Sequence, residues 1–440
     1  MITNFELDFN SNIQGNWEGG DLTSDGGAWL IKNFLYQVGL PSLLAEHFFI
    51  PEDDAVRFYE NDLMLMQSIF FTILGYHNQK DSDELKKDPI LNDCFEKGLA
   101  SQSTYSRFIN RLNEGSFDQL IKVNQIIIEN FYKQYPPESK TITCDIDTSY
   151  FETFGRQEGA SYNKHYDCTG LSPLAIFDYE AKLLIGADLR EGTTYCSNGA
   201  DELITSVLER FQESFPELTC RFRGDSGFAS PKVYDACEEK GAEYVIRLKD
   251  NQVLEREANK LINKEYDPAR CGEDQTIVGE FMYKAGTWKR ARRVICEIKL
   301  IAGELLPRNM YIVTNVSDMT PKEVLAFYRK RGNMENYIKE AKNGFAIDKV
   351  SQQSLVVNKN QFMMKMIAYN LKCIFSALVL PEAMQSYQIE TLRNKLFKVA
   401  ARRVKHARKI VVKLCSHFPL KREFEAILQN IRLLKLNFST

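Results

Sequence analysis

The chain is predicted to be an α/β protein, a mixed β-sheet layered with helices between a helical N-terminal region and a basic C-terminal one. Three observations carry that expectation. Short β-rich runs at 141–150, 173–178, 182–189, 218–225 and 243–248 are interleaved, in their later part, with helical patterns at 201–211 and 231–240. Pro136-Pro137 closes a long stretch of helical periodicity, because consecutive prolines cannot continue a helix. The 440 residues, 44% hydrophobic and 12% aromatic, suffice for about three domain-sized units around a sizeable core.

Taken in order, residues 1–135 form the helical N-terminal region. Thr23, Ser24 and Asp25 supply capping side chains ahead of a helix over 28–40, and 61–77 is a long apolar-rich helix. Over 100–112, Arg107 and Arg111 stand four residues apart on one face, which suits a DNA-reading helix as well as an ordinary surface helix. Residues 136–250 hold the first part of the sheet. The helical pattern then fades, and 251–310 is expected to be a β-rich insertion with strands at 276–283 and 287–298. The sheet resumes over 311–375, where Pro321 opens a long helix reaching about Asn343. Residues 376–440 are expected to be helical and basic. There Arg402, Lys405, Lys409 and Lys413 share one helical face opposite Val404, Ala407, Val411 and Leu414, so that the outer side of the helix meets phosphates.

Charge is distributed unevenly behind a net value of −3. Residues 1–100 hold 17 acidic and 6 basic side chains, whereas 393–422 hold 11 Lys or Arg and no acid. A basic segment of this kind points to a polyanion or to a solvated face. The most apolar runs, 63–74 and 362–380, are interrupted by Gln67 and by Lys365, Asn370 and Lys372, short of the ~20 clean residues of a membrane span. No secretion signal opens the chain, and ten cysteines without a Cys-x2-Cys pair suit reduced thiols in a cytoplasm. Secreted, membrane-embedded and zinc-ribbon classes are thereby disfavoured.

Three acids stand out by their settings. Asp147 lies in the first strand with Asp145 two residues earlier on the same face. Asp225 ends a strand and precedes the turn Ser226-Gly227-Phe228. Glu335 lies in the long helix with Tyr328, Arg331 and Lys342 at offsets of 0, 3, 7 and 14, within a stripe of roughly 60° on an ideal helix. Lys339 follows one turn beyond Glu335. Carboxylates from two strands and a helix supply hard oxygen ligands for two magnesium ions, the pair that flanks an in-line phosphoryl displacement. Ser226 in its turn would suit a nucleophile, but none of the five histidines sits in the setting of a protease base. Tyr162 and His165 fall near the first strand, either close to a scissile phosphate or in structural roles. Trp288 suits stacking on a displaced base or packing in the insertion.

The helix spells Tyr328-x2-Arg331-x3-Glu335-x6-Lys342, which resembles the signature of a branch of bacterial insertion-sequence transposases with an Asp-Asp-Glu triad. Further segments are similar to the insertion-sequence 1380 family: Asp145-Ile-Asp147-Thr148, Gly155-Arg-Gln157-Glu-Gly159, Pro173-Leu174, Leu189-Arg190-Glu-Gly192, Arg223-Gly-Asp225-Ser-Gly-Phe228, Ala368-Tyr-Asn-Leu371 and, earlier, 99–108. The resemblance implies an RNase H-like catalytic core interrupted by a β insertion. It implies Asp147, Asp225 and Glu335 as ligands of two Mg²⁺ ions, replaceable by Mn²⁺, and Tyr328, Arg331, Lys339 and Lys342 as DNA-phosphate contacts. It also implies cut-and-paste transposition in a bacterial cytoplasm by a homodimer on double-stranded DNA, with cleavage at terminal inverted repeats and strand transfer. Thr148 follows Asp147 directly and Ser149 takes the position where the family often has threonine; Asp147 is the expected first ligand, with Asp145 behind it. Two rival expectations are a catalytically silent DNA-binding descendant and an RNase H-like nuclease.

Overall fold

The computed structural model describes residues 4–7, 10–51, 57–407 and 409–439, and the chain divides into two compact units. The first comprises Met1–Phe131, Glu340–Ile347 and Asn360–Thr440; the second comprises Tyr132–Lys339 and Asp348–Lys359.

The second unit is built on a mixed sheet. Its long strands are β1 (Thr141–Thr148), β2 (Cys168–Asp178), β3 (Leu184–Arg190), β4 (Thr219–Gly224), β5 (Glu243–Leu248), β6 (Gln275–Tyr283), β7 (Arg292–Leu300) and β8 (Arg308–Thr314). They lie in the order β6-β7-β8-β5-β4-β1-β2-β3. β1 is parallel to β4 and β4 to β5, and the remaining neighbours are antiparallel. The five strands β3-β2-β1-β4-β5 form the central part of this mixed sheet, where the RNase H-like core was expected. Helices α1 (Ala200–Ser214) and α2 (Pro231–Glu239) supply the crossovers that parallel pairing requires. β1 is covered on both faces, Ile142 through Ile146 all being buried: Ile142, Cys144 and Ile146 give it one apolar face, while Thr143 and Asp145 are buried on the other.

The expected insertion departs from the sequence pattern in two ways. Its charged start is a helix, α3 (Gln252–Glu265), capped by the Asn251 side chain, which accepts from the Val253 and Leu254 amides. Its strands β6 and β7 extend the core sheet through β8 instead of forming a separate layer. The next helix, α4 (Pro321–Arg329), starts where proline predicts, with Thr320 and Glu323 in a reciprocal capping box. Val324 and Leu325 bury it against Val245, Ile295, Ile312 and Val316. The single helix expected to reach Asn343 is broken. A 3₁₀ turn at Lys330–Asn333 separates α4 from α5 (Met334–Phe345); it contains Gly332, a poor helix former.

The first unit is mainly helical. Asn61–Leu74 is buried along most of its length and stops at Gly75, whose φ of +97° suits a residue without a side chain. Arg393 covers that end, donating to the carbonyls of Thr72, Ile73 and Gly344. The region expected to be helical at its basic end keeps a helix at Lys421–Leu433, but Arg402, Lys405, Lys409 and Lys413 do not lie on one. An antiparallel pair stands there instead, β9 (Ala401–His406) and β10 (Lys409–Leu414), and β9 also pairs with the short strand Leu22–Thr23. The basic residues at helical spacing therefore do not share one face: Arg402 and Lys413 are opposite one another, whereas Lys405 is on the other side of the ribbon. Among the described residues no helix is long and apolar enough to cross a membrane.

Candidate active site

The strand register brings the first two acids together. β1 and β4 run parallel with Asp145 beside Arg223, so Asp147 and Asp225, each two residues further on, emerge at neighbouring carboxyl ends of the sheet. Crevices at such ends are the usual ligand sites of open α/β sheets. Asp225 also caps the one-turn 3₁₀ helix Ser226–Phe228, its Oδ1 accepting from the Gly227 amide at 2.8 Å. Gly227 must be small there, because an added Cβ would stand 3.0 Å from both Asp225 Oδ1 and the Cβ of Cys196.

The third segment arrives through the break between α4 and α5. Within it, Arg331 places Nη2 3.0 Å from Asp147 Oδ2, while Asp147 Oδ1 accepts from the Thr148 amide at 2.8 Å. Glu335 follows in the first turn of α5, exposed. Asp147 feels all of these groups. Burial is the largest influence and pushes its carboxyl up to about 6, with repulsion from Asp225 and Glu335 adding to burial and Arg331 opposing it. Burial lowers the Arg331 pKa, but Asp147 and Asp225 outweigh that and hold it above the ordinary arginine value. Its Nε is buried without a hydrogen-bond partner. Tyr328 is half-buried, packs beside the hydrophobic cluster under α4, and has its pKa raised chiefly by burial. Among the described residues no three His, Cys, Asp or Glu side chains are closed up into a ready-made metal cage.

Asp145 has a different task. It is fully buried and takes a two-pronged contact from Arg223, Nε to Oδ1 at 2.6 Å and Nη2 to Oδ2 at 2.7 Å. The third nitrogen of Arg223 donates to the Phe327 carbonyl at 2.7 Å, and the guanidinium lies between the rings of Tyr179 and Phe327. Both oxygens of Asp145 are thus committed to the scaffold. Sequence inspection did not single out Arg223 as its partner, although paired arginines at 221 and 223 beside paired acids at 145 and 147 were a legible sign.

Other expected residues are dispersed. Lys339 is exposed on α5, and Lys342 is half-buried further along the same helix. Of the two uses expected for Trp288, base stacking and packing in the insertion, the structure has the packing: it is 6% exposed and lies edge-on against Tyr234 at 5.3 Å and Tyr283 at 5.2 Å, with the Arg292 guanidinium over its ring. A ring enclosed this way offers no face to a base. Tyr162 donates its hydroxyl to Asp167, and His165 packs against Tyr166. Tyr166, which sequence inspection passed over, also feels the acids, as Tyr328 does. Its ring stacks on Tyr150 at 4.9 Å, and its pKa is raised by burial and by the charges of Cys196, Asp147 and Asp225. Arg402, Lys405 and Lys409 lie in the first unit, on the hairpin already described.

Comparison with known proteins returns no match among curated sequences. Among solved structures, a piggyBac transposase synaptic complex with hairpin DNA is similar at 13% identity, covering 92% of this chain and 85% of that one with a TM-score of 0.44. A Mos1 transposase paired-end complex with the left transposon end is similar at 16% identity over 44% of this chain and 60% of the other, with a TM-score of 0.18. The model of one family, described as Transposase DDE domain group 1, matches residues 5–436. The chain belongs to that family of DDE transposases, and its function is DNA transposition.

Proposed function

We propose that this DDE transposase is a metal-dependent enzyme of the insertion-sequence 1380 type, with Asp147, Asp225 and Glu335 as its acid triad. The observation that supports this most is the electrostatic convergence on Asp147, where two other acids and Arg331 act on one buried carboxyl. Oxygen donors crowded by mutual repulsion fit a hard divalent cation such as Mg²⁺ or Mn²⁺. When bound, such ions would supply charge neutralisation at the phosphate being cut. Asp147, Asp225 and Glu335 would hold them.

The remaining residues position DNA. Arg331, tethered to Asp147 by one contact, would present its free nitrogens to a phosphate at the cleavage point. Tyr328 and Lys339 would contact the flanking backbone, with Lys342 further along α5. Asp145 and Arg223 keep β1 and β4 in register, so that the two strand-borne acids stay adjacent. The reaction is hydrolysis at the element's terminal inverted repeat to free a 3′-hydroxyl, followed by attack of that hydroxyl on target DNA, one phosphodiester exchanged for another. A homodimer would hold two ends. The ten cysteines, all unpaired in disulfide terms, suit the reducing interior of a bacterial cell.

The test is end cleavage. Purified protein, Mg²⁺ and duplex DNA carrying the element's inverted repeat should give a nick at the end, and Asp225→Ala should reduce it to background. Cleavage that survives in that variant would remove the triad. Metal-independent end binding without any nick in the wild type would instead identify a silent descendant.

A further inference from the structure

The β9–β10 hairpin divides its residues between two faces. Cross-strand partners share a face, so Arg402 with Lys413, Val404 with Val411 and His406 with Lys409 form one side. Arg403 with Val412 and Lys405 with Ile410 form the other. The second side is partly covered at its Arg403–Val412 end: Val412 and the still half-exposed Ile410 line a cavity of about 510 Å³ together with Trp29, Tyr36 and Leu428, while Lys405 is exposed. Its arginine is taken by acids of the same unit, Arg403 pairing with Asp93 and Asp21. The first side points outward. Arg402, His406, Lys409, Val411 and Lys413 are exposed, and no acid among the described residues pairs with Arg402, Lys409 or Lys413.

Spacing on that outer side is regular. Four residues separate Arg402 from His406 along β9, and four separate Lys409 from Lys413 along β10. At ~3.4 Å per residue the two polar pairs stand roughly 13 Å apart, with the valine pair between them. The major groove of B-form DNA is ~12 Å wide and admits a two-stranded ribbon. We propose that the outer face of β9–β10 is a DNA-docking ribbon that straddles the major groove of double-stranded DNA. Arg402 and Lys413 meet one phosphate wall, His406 and Lys409 meet the other, and Val404 and Val411 face the groove floor. The surrounding charge fits this partner, since 393–422 carries 11 Lys or Arg and no acid. The ribbon rests on the transposase reading but is independent of the acid triad, because it binds without metal.

The experiment is a salt titration. Binding of the full chain to a short duplex of mixed sequence is followed by fluorescence anisotropy in EDTA at increasing KCl. The variant Arg402→Gln/Lys409→Gln/Lys413→Gln should flatten the log–log salt slope by about 2.7, that is ~0.9 for each phosphate no longer neutralised, and weaken binding roughly tenfold or more at moderate salt. Lys405→Gln, exposed on the opposite face of the hairpin, should leave the slope unchanged. Lys409→Gln alone should flatten it by about 0.9, which keeps the test available if the triple variant does not fold. A wild-type slope in the triple variant overturns the proposal. So does a Lys405→Gln effect equal to that of Lys409→Gln, which would indicate diffuse charge and no ribbon. Loss of end cleavage in Asp225→Ala with an unchanged slope separates this inference from the triad.

Discussion

Asp145 and Asp147 lie two residues apart on one face of one strand, each against an arginine, and their surroundings are opposite. Arg223 spends all three nitrogens, two on Asp145 and one on the Phe327 carbonyl, with aromatic rings on both sides. Arg331 makes one contact to Asp147 and leaves a buried Nε unpaired. The first pair is closed, each carboxylate oxygen engaged by Arg223 and both side chains shut off from solvent. The second is open, and its acid is pushed up to about 6 by burial and by two further carboxylates. Completeness of the hydrogen bonding, more than residue type, separates scaffold from site.

Substitutions can break that contrast. Asp145→Asn strands the Arg223 charge in the core and should cost about 3–5 kcal/mol in urea unfolding. Asp147→Asn should change stability by about 1 kcal/mol or less, because it removes a crowded charge along with a single contact. Equal costs for the two would erase the distinction. Trp288→Ala should cost about 3–5 kcal/mol as a core truncation. The closed role of Trp288 would fail if DNA binding fell while stability held.

Smaller effects sharpen the comparison. Arg331→Ala should keep the fold, weaken DNA binding and flatten its salt slope by about one; an unchanged slope would end its role as a phosphate contact. Arg292 is intermediate, clamped by Glu238 and Asp235 but with one nitrogen buried and unpaired. Burial would raise the Glu238 carboxyl, yet hydrogen bonds from Arg292, Arg290 and Tyr244 outweigh burial and hold it near about 2. A depressed carboxylate pKa gives stability that is present above the unfolded value near 4.5 and is lost as pH falls toward 2. Glu238→Gln should therefore flatten the unfolding curve between those two values. An acid limb as steep as that of the wild type would contradict the clamp.

Much of the site was legible because local chemistry agrees with the fold. Asp225 precedes a glycine turn that it caps, and Pro321 starts α4 in a capping box. The turn at Lys330–Asn333 was hidden, since a 3₁₀ interruption leaves the Tyr-x2-Arg-x3-Glu spacing intact while changing the direction of Arg331. The C-terminal ribbon was missed for a different reason. Basic residues at 402, 405, 409 and 413 mimic a helical stripe, whereas the β-branched Val404, Ile410, Val411 and Val412 carried the stronger signal. Helix α3 was obscured by its charge, though Leu254, Ala258, Leu261 and Ile262 keep helical spacing. Arg223 was not recognised because its partner is 78 residues away, and only the parallel register brings them together.

Mn²⁺ titration of the purified protein by calorimetry tests the shared acid site most directly. Binding in the wild type that is abolished in Asp147→Asn, in Asp225→Asn and in Glu335→Gln, each still folded, is the expected result. Undiminished Mn²⁺ binding in any one of the three would contradict it.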